Sequence, residues 1–214
     1  MNNKPTVFVL DADAAVRHAV SSLAQTMNLH CETFASGREF LESHHPARPG
    51  CLVMEIRIPD VNGVQIQERL SLEGSTLPII FLTDQATVSI AVRAMRSGAL
   101  HVIEKPFREH ELWDVIQEAV ELDRERRLLI RERQKVEDRV ARLDAKDRAL
   151  LTMIAEGRSK EAMAAELGVC VRTVELRRNQ LAKKLDLKTP VELLHFALSA
   201  SNGHSGQNEN ASCR

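Results

Sequence analysis

The stretch Ile79-Ile80-Phe81-Leu82 decides the fold of the first half of the chain. It is an unbroken apolar run, which is typical of a central strand that a parallel sheet buries on both faces. Four further apolar or β-branched runs occur, at Thr6–Leu10, Cys31–Phe34, Cys51–Ile56 and His101–Ile103. Amphipathic segments lie between them, at Ala14–Met27, Gly37–His44, Gly63–Leu72 and Thr87–Ser97. This alternation predicts an α/β domain with a doubly wound, five-stranded parallel sheet, whose site lies beyond the carboxyl ends of the strands.

The strand pattern stops near Arg108. Residues 108–142 contain no glycine and no proline and are rich in Arg and Glu. One apolar series recurs every seven positions, at Val115, Leu122, Leu129, Val136 and Leu143. A dimeric coiled coil also needs a second apolar series, which here is interrupted by Arg126 and Arg133. The pattern therefore favours a long surface helix, with a coiled coil as the alternative.

Short helices are predicted after this segment. Asp144 and Ser159 are the expected caps of helices at 145–156 and 160–167, a third helix covers 171–185, and Thr189-Pro190-Val191-Glu192 begins a fourth. From Ser201 the chain is too polar to pack, which predicts disorder. The expected organisation is thus an α/β domain over 1–120, a helical linker over 121–142, an all-α domain over 143–200 and a tail over 201–214.

The charges of the two halves differ in sign. The formal net charge of the 214 residues is only -1. Residues 1–120 carry 10 basic and 15 acidic side chains, whereas residues 121–214 carry 19 and 15. The C-terminal half is therefore the candidate for contact with DNA. Aromatic residues make up 3% of the chain, which argues against a stacking interface for single-stranded nucleic acid.

Several other classes of protein have little support in the sequence. No Ser/His/Asp or Cys/His set, glycine-rich phosphate loop or metal-ligand cluster stands out, so we expect no enzyme, cofactor or metal site. The scattered cysteines favour free thiols in a cytoplasmic protein, with an oxidant sensor at Cys31 and Cys51 as a weaker alternative. No apolar run approaches the roughly 20 residues of a membrane span.

The segment from Ala162 to Leu185 has the pattern of a helix-turn-helix. Gly168 supplies the turn, and the second helix crowds basic and hydrogen-bonding side chains together while Val174 and Leu181 keep core spacing. A solvated charged helix face is the alternative interpretation. The fragments Leu143–Leu151, Glu156–Glu161, Arg172–Glu175 and Lys183–Leu187 give residues 143–200 a specific resemblance to the four-helix LuxR-type DNA-binding domain.

This resemblance implies a DNA interface on the third helix of the domain. Bases would be contacted by Glu175, Leu176, Arg178 and Asn179, and phosphates by Arg172, Thr173, Lys183 and Lys184. The fourth helix would pair two subunits. Cys170 departs from the family, which usually has a serine cap there, and a thiol is a weak acceptor.

Residues 5–120 resemble the receiver domain of response regulators, and the whole chain resembles the NarL/FixJ class. The matching motifs are Phe8–Asp13, Ile56–Gly63, Phe81–Asp84 and Glu104–Phe107. The resemblance implies transfer of a phosphoryl group from a histidine kinase to an aspartate at the end of the third strand. It also implies Mg²⁺, held by that aspartate and by an acidic pair after the first strand, and a Thr and a Lys that bind phosphoryl oxygens.

The pocket departs from that pattern at three positions. Glu55 stands at the acceptor position, and Ala12 replaces the second member of the acidic pair, whose first member is Asp11. The family also has an aromatic residue, which switches its side-chain rotamer, three positions before the lysine, and Val102 replaces it here. The two phosphoryl-binding side chains are retained, as Thr83 and Lys105. Mg²⁺ holds its oxygen ligands in strict geometry, and phosphoryl transfer depends on in-line positioning. We therefore expect a degenerate receiver that is regulated without aspartate phosphorylation.

Three alternatives stay open. The first is an ordinary two-component regulator that accepts phosphate on Asp11, Asp13 or Asp60. In the second, a Glu55–Lys105 ion pair fills the pocket without carrying a signal. In the third, the chain forms mixed dimers with a related regulator. The expected partners are double-stranded DNA, a second copy at least on DNA, and a partner protein or histidine kinase. The dimer surface is open among the receiver helices, the linker and the last helix.

Overall fold

Five parallel strands form in the first half of the chain, at the positions of the apolar runs. A computed structural model describes residues 4–84 and 86–205, and for residues 202–205 it describes the backbone alone. The strands are β1 (Thr6–Leu10), β2 (His30–Phe34), β3 (Gly50–Met54), β4 (Ile79–Thr83) and β5 (His101–Glu104), in the order β2-β1-β3-β4-β5. The switch point of this order lies between β1 and β3. The predicted doubly wound α/β fold is confirmed.

Helices cover both faces of the sheet. They are α1 (Ala14–Thr26), α2 (Gly37–Ser43), α3 (Gly63–Leu72), α4 (Val88–Arg96) and α5 (Glu109–Ala141). Successive side chains of a strand point to opposite faces, so β1 contributes to two cores. One core contains Phe8, Leu10, Phe40, Leu52, Ile66 and Phe81, and the other contains Val7, Val9, Leu23, Ile80, Leu112 and Ile116.

The long helix α5 passes the predicted domain boundary at residue 120 without a break. The N-terminal compact unit continues to Leu128. Asp123, which is 1% exposed, accepts hydrogen bonds from the Gly50 backbone N–H (2.9 Å) and from the Thr76 hydroxyl (2.9 Å). These bonds tie α5 to the loops that precede β3 and β4.

Arg127 completes this buried group. Its Nε donates to Asp123 at 2.7 Å, and its Nη2 donates to the carbonyl oxygens of Pro46 (3.1 Å) and Arg48 (2.6 Å). We call Asp123, Arg127 and the groups they bond the Asp123–Arg127 network. Because the network is buried against the sheet domain, the first two turns of the predicted linker pack as part of that domain.

The C-terminal unit begins at Leu129. It contains the last turns of α5 and four further helices, α6 (Ala145–Ala155), α7 (Lys160–Leu167), α8 (Val171–Lys184) and α9 (Pro190–Ser205). Their shared core includes Leu143, Leu150, Ile154, Val174, Leu181, Leu193 and Phe196. The predicted long helix and all-α domain are confirmed.

The last helix corrects the predicted start of the tail. Helix α9 runs to Ser205, five residues past the expected end at residue 200. The polar residues after Ala200 continue the helix, in which the hydroxyls of Ser199 and Ser201 donate to the carbonyl oxygens of His195 and Leu198. Residues 206–214 of the predicted tail lie outside the described residues. No helix within the described ranges has the length and apolar character needed to cross a membrane.

Candidate functional site

The carboxyl ends of four strands bring polar side chains together. Asp11 follows β1, Glu55 follows β3, Thr83 ends β4 and Lys105 follows β5. The Lys105 Nζ lies 2.6 Å from Oδ2 of Asp11 and 2.9 Å from Oε2 of Glu55. The side chains of Lys105, Asp11 and Glu55 are only 16%, 5% and 10% exposed. We call these three residues the carboxylate–lysine group.

Hydrogen bonds set the charges of this group. Burial would raise the pKa of Glu55, but hydrogen bonds to Thr83 and Lys105 and the Lys105 charge leave this pKa below its ordinary value. The Glu55 Oε1 also accepts a hydrogen bond from the Ile56 backbone N–H at 2.7 Å. Burial would lower the pKa of Lys105, but its bonds to Asp11 and Glu55 raise it above its ordinary value. Glu55 is therefore a carboxylate and Lys105 an ammonium at neutral pH.

Ala12 leaves the position beside Asp11 without a carboxylate. The residue is exposed, and its carbonyl oxygen accepts a hydrogen bond from Arg17 Nη1 at 2.8 Å. Asp13 accepts a hydrogen bond from the Ala15 backbone N–H at 2.8 Å and caps α1. Asp13 therefore acts as a helix cap, and Ala12 has no side-chain oxygen that could bind a metal ion.

Val102 and Asp60 make other contacts. Val102 is half-buried in β5 and packs against the core that contains Phe81. The Asp60 carboxylate accepts hydrogen bonds from the backbone N–H groups of Arg38 (3.0 Å) and Gly37 (3.1 Å) at the start of α2. These bonds lower the pKa of Asp60. Asp60 thus acts as an anchor between the β3–α3 loop and α2.

The donor set does not fit Mg²⁺, the ion that the receiver resemblance implies. Mg²⁺ needs several oxygen ligands in octahedral geometry. Both Asp11 oxygens are bonded, Oδ1 by the Asp13 backbone N–H at 2.9 Å and Oδ2 by Lys105. Both Glu55 oxygens are bonded as well, and Ala12 supplies none. Within the part of the chain that the structure describes, no three His, Cys, Asp or Glu side chains are arranged to hold a metal ion.

The helix-turn-helix is formed by α7 and α8. Gly168 ends α7 with a left-handed φ of 63°, which favours glycine. Val174 and Leu181 turn one face of α8 into the core. Of the residues with predicted DNA contacts, six are exposed, Arg172, Glu175, Leu176, Asn179, Lys183 and Lys184, and two are half-buried, Thr173 and Arg178. The structure thus gathers these side chains on one helix, and their contacts with DNA stay predictions.

Three ion pairs of this surface were not predicted from the sequence. The Lys160 Nζ on α7 lies 2.5 Å from Oε1 of Glu175 on α8. Lys184 at the end of α8 pairs with Asp147 and Asp144 at the start of α6. Each pair joins residues of two different helices. The number of residues between the partners does not correspond to a helical repeat, so the pairing could not be inferred from the sequence.

The first turn of α8 lacks a side-chain cap. Cys170 occupies the cap position without a capping hydrogen bond, as expected for a thiol, and its Sγ lies 3.2 Å from the Thr173 hydroxyl.

Burial raises the pKa values of Cys51 and Cys31. Because the thiolate is the reactive form, the oxidant-sensor alternative at these two cysteines gains no support.

Comparison with known proteins gives a consistent result over both units. The family described as "Response regulator receiver domain" matches residues 7–117, and "Bacterial regulatory proteins, luxR family" matches residues 141–197. Transcriptional regulatory protein TdiR of Thauera aromatica is 34% identical over 200 residues, which cover 94% of this chain and 88% of TdiR.

Two solved structures match over nearly the whole chain. The response regulator StyR matches with a TM-score of 0.80 at 33% identity, over 90% of this chain and 98% of StyR. Full-length FixJ from B. japonicum matches with a TM-score of 0.57 at 27% identity, over 94% of this chain and 99% of FixJ.

Proposed function

This chain belongs to the response regulators that carry a LuxR-type DNA-binding domain, which makes it a transcription regulator, and from that premise we propose that its receiver works without aspartate phosphorylation. We assign it no enzymatic activity and no cofactor. Its input is then a partner protein, a small ligand or the amount of the regulator itself. Its output is sequence-specific binding to double-stranded DNA through α8, as a homodimer at least when bound.

The carboxylate–lysine group is the observation that carries this proposal. Lys105, the equivalent of the lysine that binds a phosphoryl oxygen in a working receiver, is bonded to Asp11 and Glu55 at once, and Ala12 adds no carboxylate that could hold a metal ion beside them. The longer side chain of Glu55 reaches both Lys105 and Thr83, so its carboxylate stands in part for the charge of an aspartyl phosphate. The other acids that could accept phosphate, Asp13 and Asp60, are engaged as helix caps.

A phosphorylation assay tests this proposal. The full chain and the double variant Ala12→Asp/Glu55→Asp are incubated with Mg²⁺ and either acetyl phosphate or beryllofluoride. We expect no phosphoryl mass increment and no change in oligomeric state or DNA affinity for the wild type. We expect at least one of these responses for the double variant, because it regains both acids. A response of the wild type would refute the proposal and favour the second candidate, ordinary two-component signalling, which the retained Thr83 and Lys105 support.

The DNA-binding assignment has a separate test. We assign base contacts to Glu175, Leu176, Arg178 and Asn179, and phosphate contacts to Arg172, Thr173, Lys183 and Lys184. Replacing a base-contacting residue should relax the sequence preference at one position by about 1–3 kcal/mol, and replacing a phosphate-contacting residue should weaken binding to all sequences. Failure of the purified chain to bind any duplex DNA at low salt would contradict this assignment.

A further inference from the structure

One acidic side chain, Glu175, stands on the exposed face of α8 among basic and amide side chains. It lines a groove of about 660 Å³ together with residues of the first turns of α7 and α9. Leu176, Asn179 and Lys183, to which we assigned DNA contacts, line the same groove. A carboxylate on such a face is repelled by DNA phosphates. Its presence there requires either a neighbouring cation or a gain in the recognition of bases.

Lys160 is such a neighbouring cation. It is the first residue of α7, and its Nζ is bonded to Oε1 of Glu175 at 2.5 Å. Both side chains are about half exposed, at 46% and 49%, so the pair adds little to the stability of the free protein. Its effect grows where a ligand excludes water from the groove, because the attraction is then less screened. The bond also limits the positions that the Glu175 carboxylate can take.

We propose that Lys160 is a specificity-determining residue that holds Glu175 in position to accept a hydrogen bond from the N4 amino group of a cytosine. A carboxylate is the side-chain group that recognises this amino group in the major groove. The Lys160 charge offsets the repulsion between Glu175 and the phosphates, and the fixed carboxylate needs less ordering on binding. This inference rests on the proposed DNA-binding function.

Selection from a randomised duplex DNA library tests the role of the pair. The full-length wild type should select cytosine at one position of each half-site, and Glu175→Gln should lose this preference at that position alone. Lys160→Met should reduce the preference for cytosine by about tenfold, in the range that a single base contact provides. Lys160→Arg, which keeps the charge and the hydrogen bond, should retain it. In the combined variant Lys160→Met/Glu175→Gln, the loss of cytosine preference should be no larger than in Glu175→Gln alone.

A matched control separates this role from a general charge effect. Arg158→Met removes one positive charge from a residue that pairs with Glu156 and Glu166 and does not line the groove, and it should leave the cytosine preference unchanged. If Lys160→Met instead weakens binding to all sequences equally, lowers the salt slope by about one and keeps the preference, Lys160 is a phosphate contact and the proposal is wrong. If the wild type binds no library DNA at low salt, the proposed DNA-binding function itself is refuted, and this inference with it.

Discussion

Replacement of Lys105 by methionine is the most direct perturbation of the receiver pocket. The variant leaves the carboxylates of Asp11 and Glu55, whose side chains are 5% and 10% exposed, without their shared cation. Removing one partner of a buried ion pair costs about 3–5 kcal/mol. Because the low exposure limits screening by water, we expect a loss of about 3–5 kcal/mol in the free energy of unfolding at pH 7. For a unit of this size that corresponds to a fall in Tm of roughly 10–20 °C.

The only tryptophan makes this loss measurable in the full chain. Trp113 lies half-buried against the core of the sheet domain, so its fluorescence reports unfolding of that unit during a urea titration. Arg93→Met, on the exposed face of α4, removes the same charge and should change the stability by less than about 0.5 kcal/mol.

The dependence on pH gives a second criterion. The pKa of Glu55 is lowered in the folded state, so its contribution to stability is complete above its ordinary value of 4.5 and is lost as the pH falls through the lowered pKa. The raised pKa of Lys105 leaves the ammonium intact throughout this range. In Lys105→Met, protonation relieves the repulsion between the two carboxylates, so the difference from wild type should shrink as the pH falls from 7 to 4. A difference below about 1 kcal/mol at pH 7, or one that does not vary with pH, would refute the reasoning.

Three further predictions concern other parts of the chain. Asp123→Ala removes the acceptor at the centre of the Asp123–Arg127 network and should lower the free energy of unfolding by about 3–5 kcal/mol, measured by tryptophan fluorescence in urea. The control Glu125→Ala, at an exposed neighbouring position, should lower it by less than about 0.5 kcal/mol, and similar losses for both variants would contradict the role of the network. Burial and the charge of Arg48 lower the pKa of His44 to about 4, so stability that is complete above pH 6.5 should be lost as the pH falls through 4, and an NMR titration of the imidazole with a midpoint near 6.5 would disprove this. Cys170→Ser supplies the missing cap and should stabilise the start of α8 by about 1 kcal/mol, measured as slower amide hydrogen exchange there; exchange as fast as in Cys170→Ala would show that no cap had formed.

The elements of the fold could be predicted from the sequence because their signals are local. The run at Ile79–Leu82 is apolar throughout, and β4 occupies it with one added residue, Thr83. The expected cap at Ser159 likewise marked the start of α7. The same local pattern placed the site at the carboxyl ends of the strands, since parallel strands bring these ends to one edge. It did not single out Glu55, which lay inside the apolar run Cys51–Ile56, and the receiver resemblance was needed to identify Glu55 and Lys105.

The interactions that join distant segments could not be predicted in this way. Asp123 lies in a stretch crowded with charged residues, where its burial is not apparent from the sequence. Its partners Gly50 and Thr76 are 73 and 47 residues away. The contact of Lys160 with Glu175 has the same character over 15 residues. In each case the tertiary structure, and not the helical repeat, decides which charge is paired.

Under the proposed function, the residues at positions 12 and 55 are physically linked. An aspartate at position 12 would place three carboxylates around the single cation Lys105, and without a divalent ion their repulsion would not be offset. Alanine removes one of these charges, and the carboxylate of Glu55 lies 2.9 Å from Lys105. Each change therefore removes part of the need for Mg²⁺, and the two together leave the carboxylates of Asp11 and Glu55 bonded by groups of the protein. Glu55→Asp alone would restore the acceptor without the second metal ligand, and Ala12→Asp alone would add repulsion without an acceptor. For this reason only the double variant is expected to respond to beryllofluoride.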